Sequence, residues 1–95
     1  CPITKPNRTH TYNQFTLRTP DRDNLQKYLT ENEIPTAIHY PSPLHLQPVF
    51  KYLGYKEGDF PQAERAAKEV ISLPMYPFLS EDDVVRVAEA IAKFK

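Results

Sequence analysis

Ile34-Pro35-Thr36-Ala37-Ile38-His39-Tyr40-Pro41-Ser42-Pro43-Leu44-His45-Leu46-Gln47-Pro48-Val49-Phe50 decides how this chain folds. It holds two of the three histidines and four of the ten prolines. Thr36-Ala37-Ile38 is a short apolar strand signal that runs straight into His39-Tyr40. Pro41 then disfavours helical geometry at Tyr40, so the backbone leaving His39 stays extended. Side chains alternate along a strand. With Ile38 facing a helix-covered core, His39 points to the opposite face, and Tyr40 points away from His39 unless Pro41 turns the chain. A titratable ring at the end of a stiff strand is a common way to build a site. The plainer reading is a hydrogen-bonded histidine at a sheet edge.

On the N-terminal side, residues 1–11 read as an irregular lead-in with Pro2 and Pro6. Tyr12 to Arg18 alternates as a half-buried strand, with Phe15 and Leu17 on one face. Thr19-Pro20-Asp21 ends it, and Asp21 is a suitable N-cap for a helix whose stripe is Leu25, Tyr28 and Leu29. Pro35 separates that helix from the second strand, Thr36 to Tyr40.

On the C-terminal side, Gln47 to Leu53 predicts a short helix with Gly54 just past its end. Asp59 and Pro61 open another helix, where Ala63, Ala66, Ala67 and Val70 share a face suited to close packing. Val70 to Leu73 is a third strand, closed by Pro74. Met75 to Leu79 is an apolar loop. Ser80 with Asp83 forms a short capping box before a last helix, Glu81 to about Phe94, that lines up Val84, Val87, Ala88 and Ile91.

This order predicts an α+β fold: one small sheet of about three strands with helices on one face. Ninety-five residues suit a single domain, 1–95. No helix remains for the second face of the sheet, so the isolated domain is expected to self-associate through it and through the Met75 to Leu79 loop.

Charged residues make up 25% and hydrophobic ones 40%, and the formal net charge is zero, with no basic run. That excludes the concentrated positive footprint of a nucleic-acid or membrane-surface binder. No apolar run approaches a membrane span or a signal-peptide core. The single cysteine, Cys1, allows no internal disulfide, which fits a reducing cytoplasm.

His10, His39 and His45 lack zinc-ligand spacing, so no metal site is expected. Gly54 and Gly58 sit in one turn and make no phosphate-cradling loop. The acidic clusters at Asp21/Asp23 and Glu81 to Asp83 belong to helix first turns. No lysine lies in a sequence context apolar enough for Schiff-base chemistry. The residues alone therefore supply walls around His39 and no complete catalytic set.

Four stretches nevertheless carry a resemblance: Arg8 to Arg18, Ile38 to Pro48, Gly54 to Pro61, and Ser72-Leu73-Pro74-Met75-Tyr76-Pro77. In this order, over nearly the whole chain, they resemble the C-terminal part of the DegT/StrS-type sugar aminotransferases. These are pyridoxal-phosphate enzymes of the aspartate aminotransferase fold type, several times longer than this chain. The resemblance implies that the chain is the small domain alone. A large domain of the same enzyme would carry the aldimine lysine and most contacts to pyridoxal 5'-phosphate. Nothing here matches that lysine motif, so the fragment is expected to be inactive, to hold no cofactor and to contain no catalytic residue.

The parent would move an amino group, typically from glutamate, to a nucleotide-linked keto-sugar, in cell-surface polysaccharide or related sugar biosynthesis. Its active site would lie at a homodimer interface, in a cytoplasmic enzyme. The resemblance marks His39, Tyr40 and His45 as substrate-binding, with Gln47 beside them. It puts His10, Tyr12 and Asn13 on the cofactor side. Many relatives carry another residue where Asn13 stands, so no particular sugar is implied. The competing reading is a non-catalytic α+β binding or interaction module with a structural His39.

Overall fold

The computed structural model describes residues 1–94. Its sheet pairs β1, Phe15–Arg18, with β2, Val70–Leu73, in antiparallel register. Phe15 lies opposite Leu73, Thr16 opposite Ser72, Leu17 opposite Ile71 and Arg18 opposite Val70. The two-residue period puts Phe15, Leu17, Ile71 and Leu73 on one face. Thr16 and Ser72 share the other, their hydroxyls 2.8 Å apart.

Two helices cover the apolar face: α1, Arg22–Glu31, and α3, Glu81–Lys93. The cluster they close is Leu25, Leu29, Ile34 and Ile71, flanked by Leu17, Leu73, Val87, Ala90 and Ile91. Leu29 and Ile71 are wholly buried. Burial of such a side chain is worth roughly 1.5–3 kcal/mol. Tyr28 packs its ring 5.5 Å from that of Phe94, pinning the C-terminal end of α3 to α1. Ser80 caps α3 as its sequence suggests: Oγ accepts from the Asp83 N–H at 3.1 Å and donates to Asp83 Oδ2 at 2.6 Å.

Three sequence expectations change. The first strand starts at Phe15, not Tyr12, because Tyr12 sits at φ 51°, outside extended geometry. Asp21 occupies the cap position of α1, but its carboxylate takes the Asn24 side-chain amide at 2.7 Å, with no bond to the helix backbone. The expected third strand, Thr36 to Tyr40, reduces to one bridge, Ala37 to Ser72, with N–H···O distances of 3.0 and 2.7 Å. The register explains why. One step outward from that bridge, Pro35 would meet Pro74, and neither has an N–H. In the other direction His39 would meet Val70. The Val70 N–H is already bonded to Ala66 O, and its carbonyl accepts from Arg22.

After the bridge the chain leaves the sheet as a strap, Ile38 to Leu53. It contains two 3₁₀ turns, Leu44–Leu46 and Pro48–Leu53, where one short helix was expected. Proline at 41, 43 and 48 interrupts any longer helical ladder. Gly54, at φ 77°, closes the second turn in the left-handed region that glycine adopts freely. A turn then leads into α2, Pro61–Glu69.

No residue separates α2 from β2: Glu69 ends the helix and Val70 begins the strand. Arg22, buried at the first turn of α1, ties this joint down by donating from one guanidinium nitrogen to Ala67 O and Val70 O, both at 3.2 Å. The molecule is a slab of 48 × 38 × 22 Å. Its radius of gyration is 15.8 Å, against about 12 Å for a compact domain of this length. Among the described residues no helix is long and apolar enough to cross a membrane.

Candidate functional site

His39 stands where two hollows meet. It is the one residue that lines both. The first, about 490 Å³, runs between the strap and α2. Tyr40, Ser42, Pro43, His45 and Gln47 form one wall, and Phe60, Ala63 and Ala66 the other. The second, about 400 Å³, crosses the polar side of the sheet between Asn13, Gln14, Thr36, Ser72 and Tyr76. Imidazole, amide, hydroxyl and phenol groups thus surround one exposed histidine. Such a lining can hydrogen-bond a molecule rich in hydroxyl and carbonyl oxygens.

The alanine face of α2 was expected to pack closely against another element. Ala67 is buried as expected, whereas Ala63 and Ala66 border the open first hollow, and their small side chains keep it wide. Tyr40 also departs from expectation. Its ring lies edge to face with that of His39, centroids 5.3 Å apart, and both border the same hollow. Pairing ends at Ala37, so strand alternation does not govern these two residues. The His39–Tyr40 peptide bond is cis. Both side chains are exposed, and His39 makes no hydrogen bond among the described residues.

His45 is arranged differently. Its side chain is only 8% exposed. Nε2 lies 2.8 Å from Glu64 Oε1, and the ring meets that of Phe60 edge-on at 4.9 Å. Glu64 is a buried carboxylate that also accepts from the N–H of Gly58 at 2.9 and 3.0 Å and of Phe60 at 3.4 Å. Burial pushes its pKa up, but the bond from His45 and the two backbone donors outweigh that and hold it below the ordinary carboxylate value. An ionised carboxylate only accepts, so His45 Nε2 carries a proton and donates.

The three residues expected on the cofactor side do not stay together. Asn13 borders the second hollow with His39. His10 and Tyr12 pair with each other beyond it: the Tyr12 N–H donates to His10 Nδ1 at 2.8 Å, and the rings lie 4.3 Å apart. A third hollow, about 340 Å³, sits against α3 and is lined by Phe15, Leu17, Met75, Val84, Ile91 and other apolar groups, with Cys1 at its edge. It offers almost nothing to orient a polar ligand.

Sequence reading missed Glu64, Arg22, Gln14 and Tyr76. For Glu64 a signal existed: the acid interrupts the alanine face, three residues before Ala67. Arg22 had none, since an arginine in a first helical turn looks solvent-facing.

Among the described residues no cluster of His, Cys, Asp or Glu could hold a metal ion. A pyridoxal phosphate needs a lysine beside its aldehyde and donors for its phosphate. The six described lysines are all exposed, and none lines either hollow beside His39. No heavy atom lies within 4 Å of where a Cβ would stand on Gly54 or Gly58, so neither marks a tight cradle. The residues present do not by themselves make a holder for that cofactor.

Comparison with known proteins places the chain in a family. The model of the DegT/DnrJ/EryC1/StrS aminotransferase family matches residues 1–92. A pleiotropic regulatory protein of Geobacillus stearothermophilus is 56% identical over 92% of this chain and 23% of its own length. The dTDP-3-amino-3,4,6-trideoxy-alpha-D-glucose transaminase of Streptomyces venezuelae is 38% identical over 98% of this chain and 24% of its own. The X-ray structure of S. venezuelae DesV in complex with a ketimine intermediate superposes with a TM-score of 0.88, at 39% identity, over 95% of this chain and 24% of that one. The chain therefore spans about a quarter of the length of the relatives it matches.

Proposed function

Because this chain belongs to the DegT/DnrJ/EryC1/StrS aminotransferase family, we propose that it is the substrate-facing small domain of a pyridoxal-phosphate enzyme that aminates a nucleotide-linked keto-sugar. Glutamate is the proposed donor, and the product feeds cell-surface polysaccharide or related sugar biosynthesis in the cytoplasm. The cofactor and its lysine belong to a larger body of the same protein, with a second subunit closing the site as a homodimer. When bound, the cofactor supplies the electron sink for amino transfer. The 95 residues alone are inactive on this reading.

The observation that carries the reading is the position of His39, exposed and shared by two hollows whose mainly apolar walls carry a few polar groups, Ser42 and Gln47 in one and Asn13, Gln14 and Ser72 in the other. In this reading His39 and Tyr40 face the sugar, and Asn13 and Tyr76 border it from the sheet side. His45 acts from behind, because its Nε2 is engaged with Glu64. The free His39 ring supports a binding role over the structural one, which would need a partner inside the fold.

The test uses the full-length protein with glutamate and a panel of dTDP- and UDP-linked keto-sugars, following 2-oxoglutarate release. One member of the panel is expected to turn over. His39→Ala should lower kcat/KM at least tenfold while the cofactor absorbance stays unchanged. Unaltered kinetics in that variant would return His39 to a structural role.

A further inference from the structure

The strap from Ile38 to Leu53 forms a whole wall of the larger hollow, yet it contributes no buried residue to the core. Its backbone hydrogen bonds are local: Leu46 N–H to Pro43 O, Gln47 N–H to Leu44 O, Phe50 N–H to Gln47 O. The Gln47 side chain reaches only Ser42 O, within the strap. Among the described residues one hydrogen bond moors the strap to the rest of the molecule, and it is His45 Nε2 to Glu64 Oε1. The same carboxylate gathers the N–H groups of Gly58 and Phe60 from the turn that returns the chain to α2. Among the described residues the edge contact of His45 on Phe60 is the one ring pairing between strap and turn.

Three segments thus converge on one acid: the strap, the returning turn and α2 itself. The opposite wall is fixed, because Arg22 and Ala66 anchor the α2–β2 joint. The distance between the walls is therefore set on the strap side. We propose that Glu64 is the positioning residue of the groove: it holds the strap at the spacing from α2 at which Tyr40 and His39 receive the sugar nucleotide. Glu64 need not touch the substrate. This inference rests on the reading that the groove takes substrate, and its test separates the two.

Glu64→Ala removes the acceptor from all three donors. His45→Ala severs only the strap and leaves the turn bonded, so it stands in should Glu64→Ala fold poorly. In the full-length protein, amide hydrogen exchange is expected to quicken at least tenfold across Ser42 to Leu53 in either variant. The β1–β2 ladder should keep its protection. With the keto-sugar nucleotide that the protein aminates, KM should rise about tenfold while kcat falls less than threefold. Glu64→Gln, which keeps an oxygen for the backbone donors, should recover most of the KM.

Unchanged exchange in the strap in both variants would overturn the inference whatever the protein catalyses. Faster exchange with an unchanged KM would also overturn it, provided His39→Ala raises KM. Faster exchange with neither variant affecting kinetics would leave the mooring intact as a fact and sink the substrate reading of the groove, and the inference with it.

Discussion

The slab has two halves built on different principles. In one, α1, β1, β2 and α3 meet over Leu25, Leu29, Ile34 and Ile71. In the other, the strap carries Tyr40, Leu44, Val49 and Tyr52 to the surface, each more than two-thirds exposed. The first half is held mainly by apolar burial. The second is held by a polar knot around one carboxylate. Burial is spread over many atoms, whereas a single charged acceptor concentrates its effect in one place. The half that borders the groove is the one whose position hangs on few contacts, as expected for surfaces that must adapt to a ligand.

The contrast should break most sharply in a pair of truncations. Leu29→Ala in the first half should cost about 3 kcal/mol, read from amide exchange at Ile71, because the site is completely enclosed. Tyr52→Ala in the strap, 79% exposed, should change stability by less than about 0.5 kcal/mol. Equal costs would erase the distinction between the halves.

Acid should separate the halves next. The pKa of Glu64 is below its ordinary value in the folded protein, so its contribution is complete above about pH 4.3 and is lost as pH falls through the lower folded value. Glu69 is lowered in the same way by hydrogen bonds from Arg65 and Arg18. As pH falls below the ordinary carboxylate range, protection in the strap should therefore be lost before protection at Ile71 is. Simultaneous loss of both would show that the strap has no separate mooring. A local effect belongs to Ser80→Ala, which should weaken the start of α3 by about 1 kcal/mol without altering strap exchange.

The same division decides what the sequence could reveal. The apolar half was legible because periodicity speaks for burial: Leu25 and Leu29 fall at helical spacing, and Phe15 and Leu17 at strand spacing. Of the stripe expected on α3, Val87 and Ile91 pack on the core while Val84 and Ala88 are exposed. Local chemistry was legible too, in the Ser80 cap and the left-handed Gly54. The resemblance to sugar aminotransferases rested on motifs in both halves, and the family match spans them.

What stayed hidden depends on contacts between distant residues. Ala37 pairs once and stops because Pro35 would face Pro74, a coincidence visible only once the register is known. The partners of Glu64 lie four, six and 19 residues away, and the backbone acceptors of Arg22 lie 45 and 48. Nothing in local pattern distinguishes Arg22 from an ordinary charged residue of a helix surface, and for Glu64 the only local sign is its place within the alanine face of α2. The two hollows that meet at His39 likewise need both walls in place before either can be seen.

The joint at Glu69 and Val70, where helix becomes strand with no intervening residue, leaves this fold no slack at its centre. A single amino acid inserted there would shift β2 by half its repeat. Ile71 would trade places with Ser72, sending a hydroxyl into the oily layer and an isoleucine toward the groove floor. Unlike an exposed turn, this seam admits changes only in kind of residue, not in number.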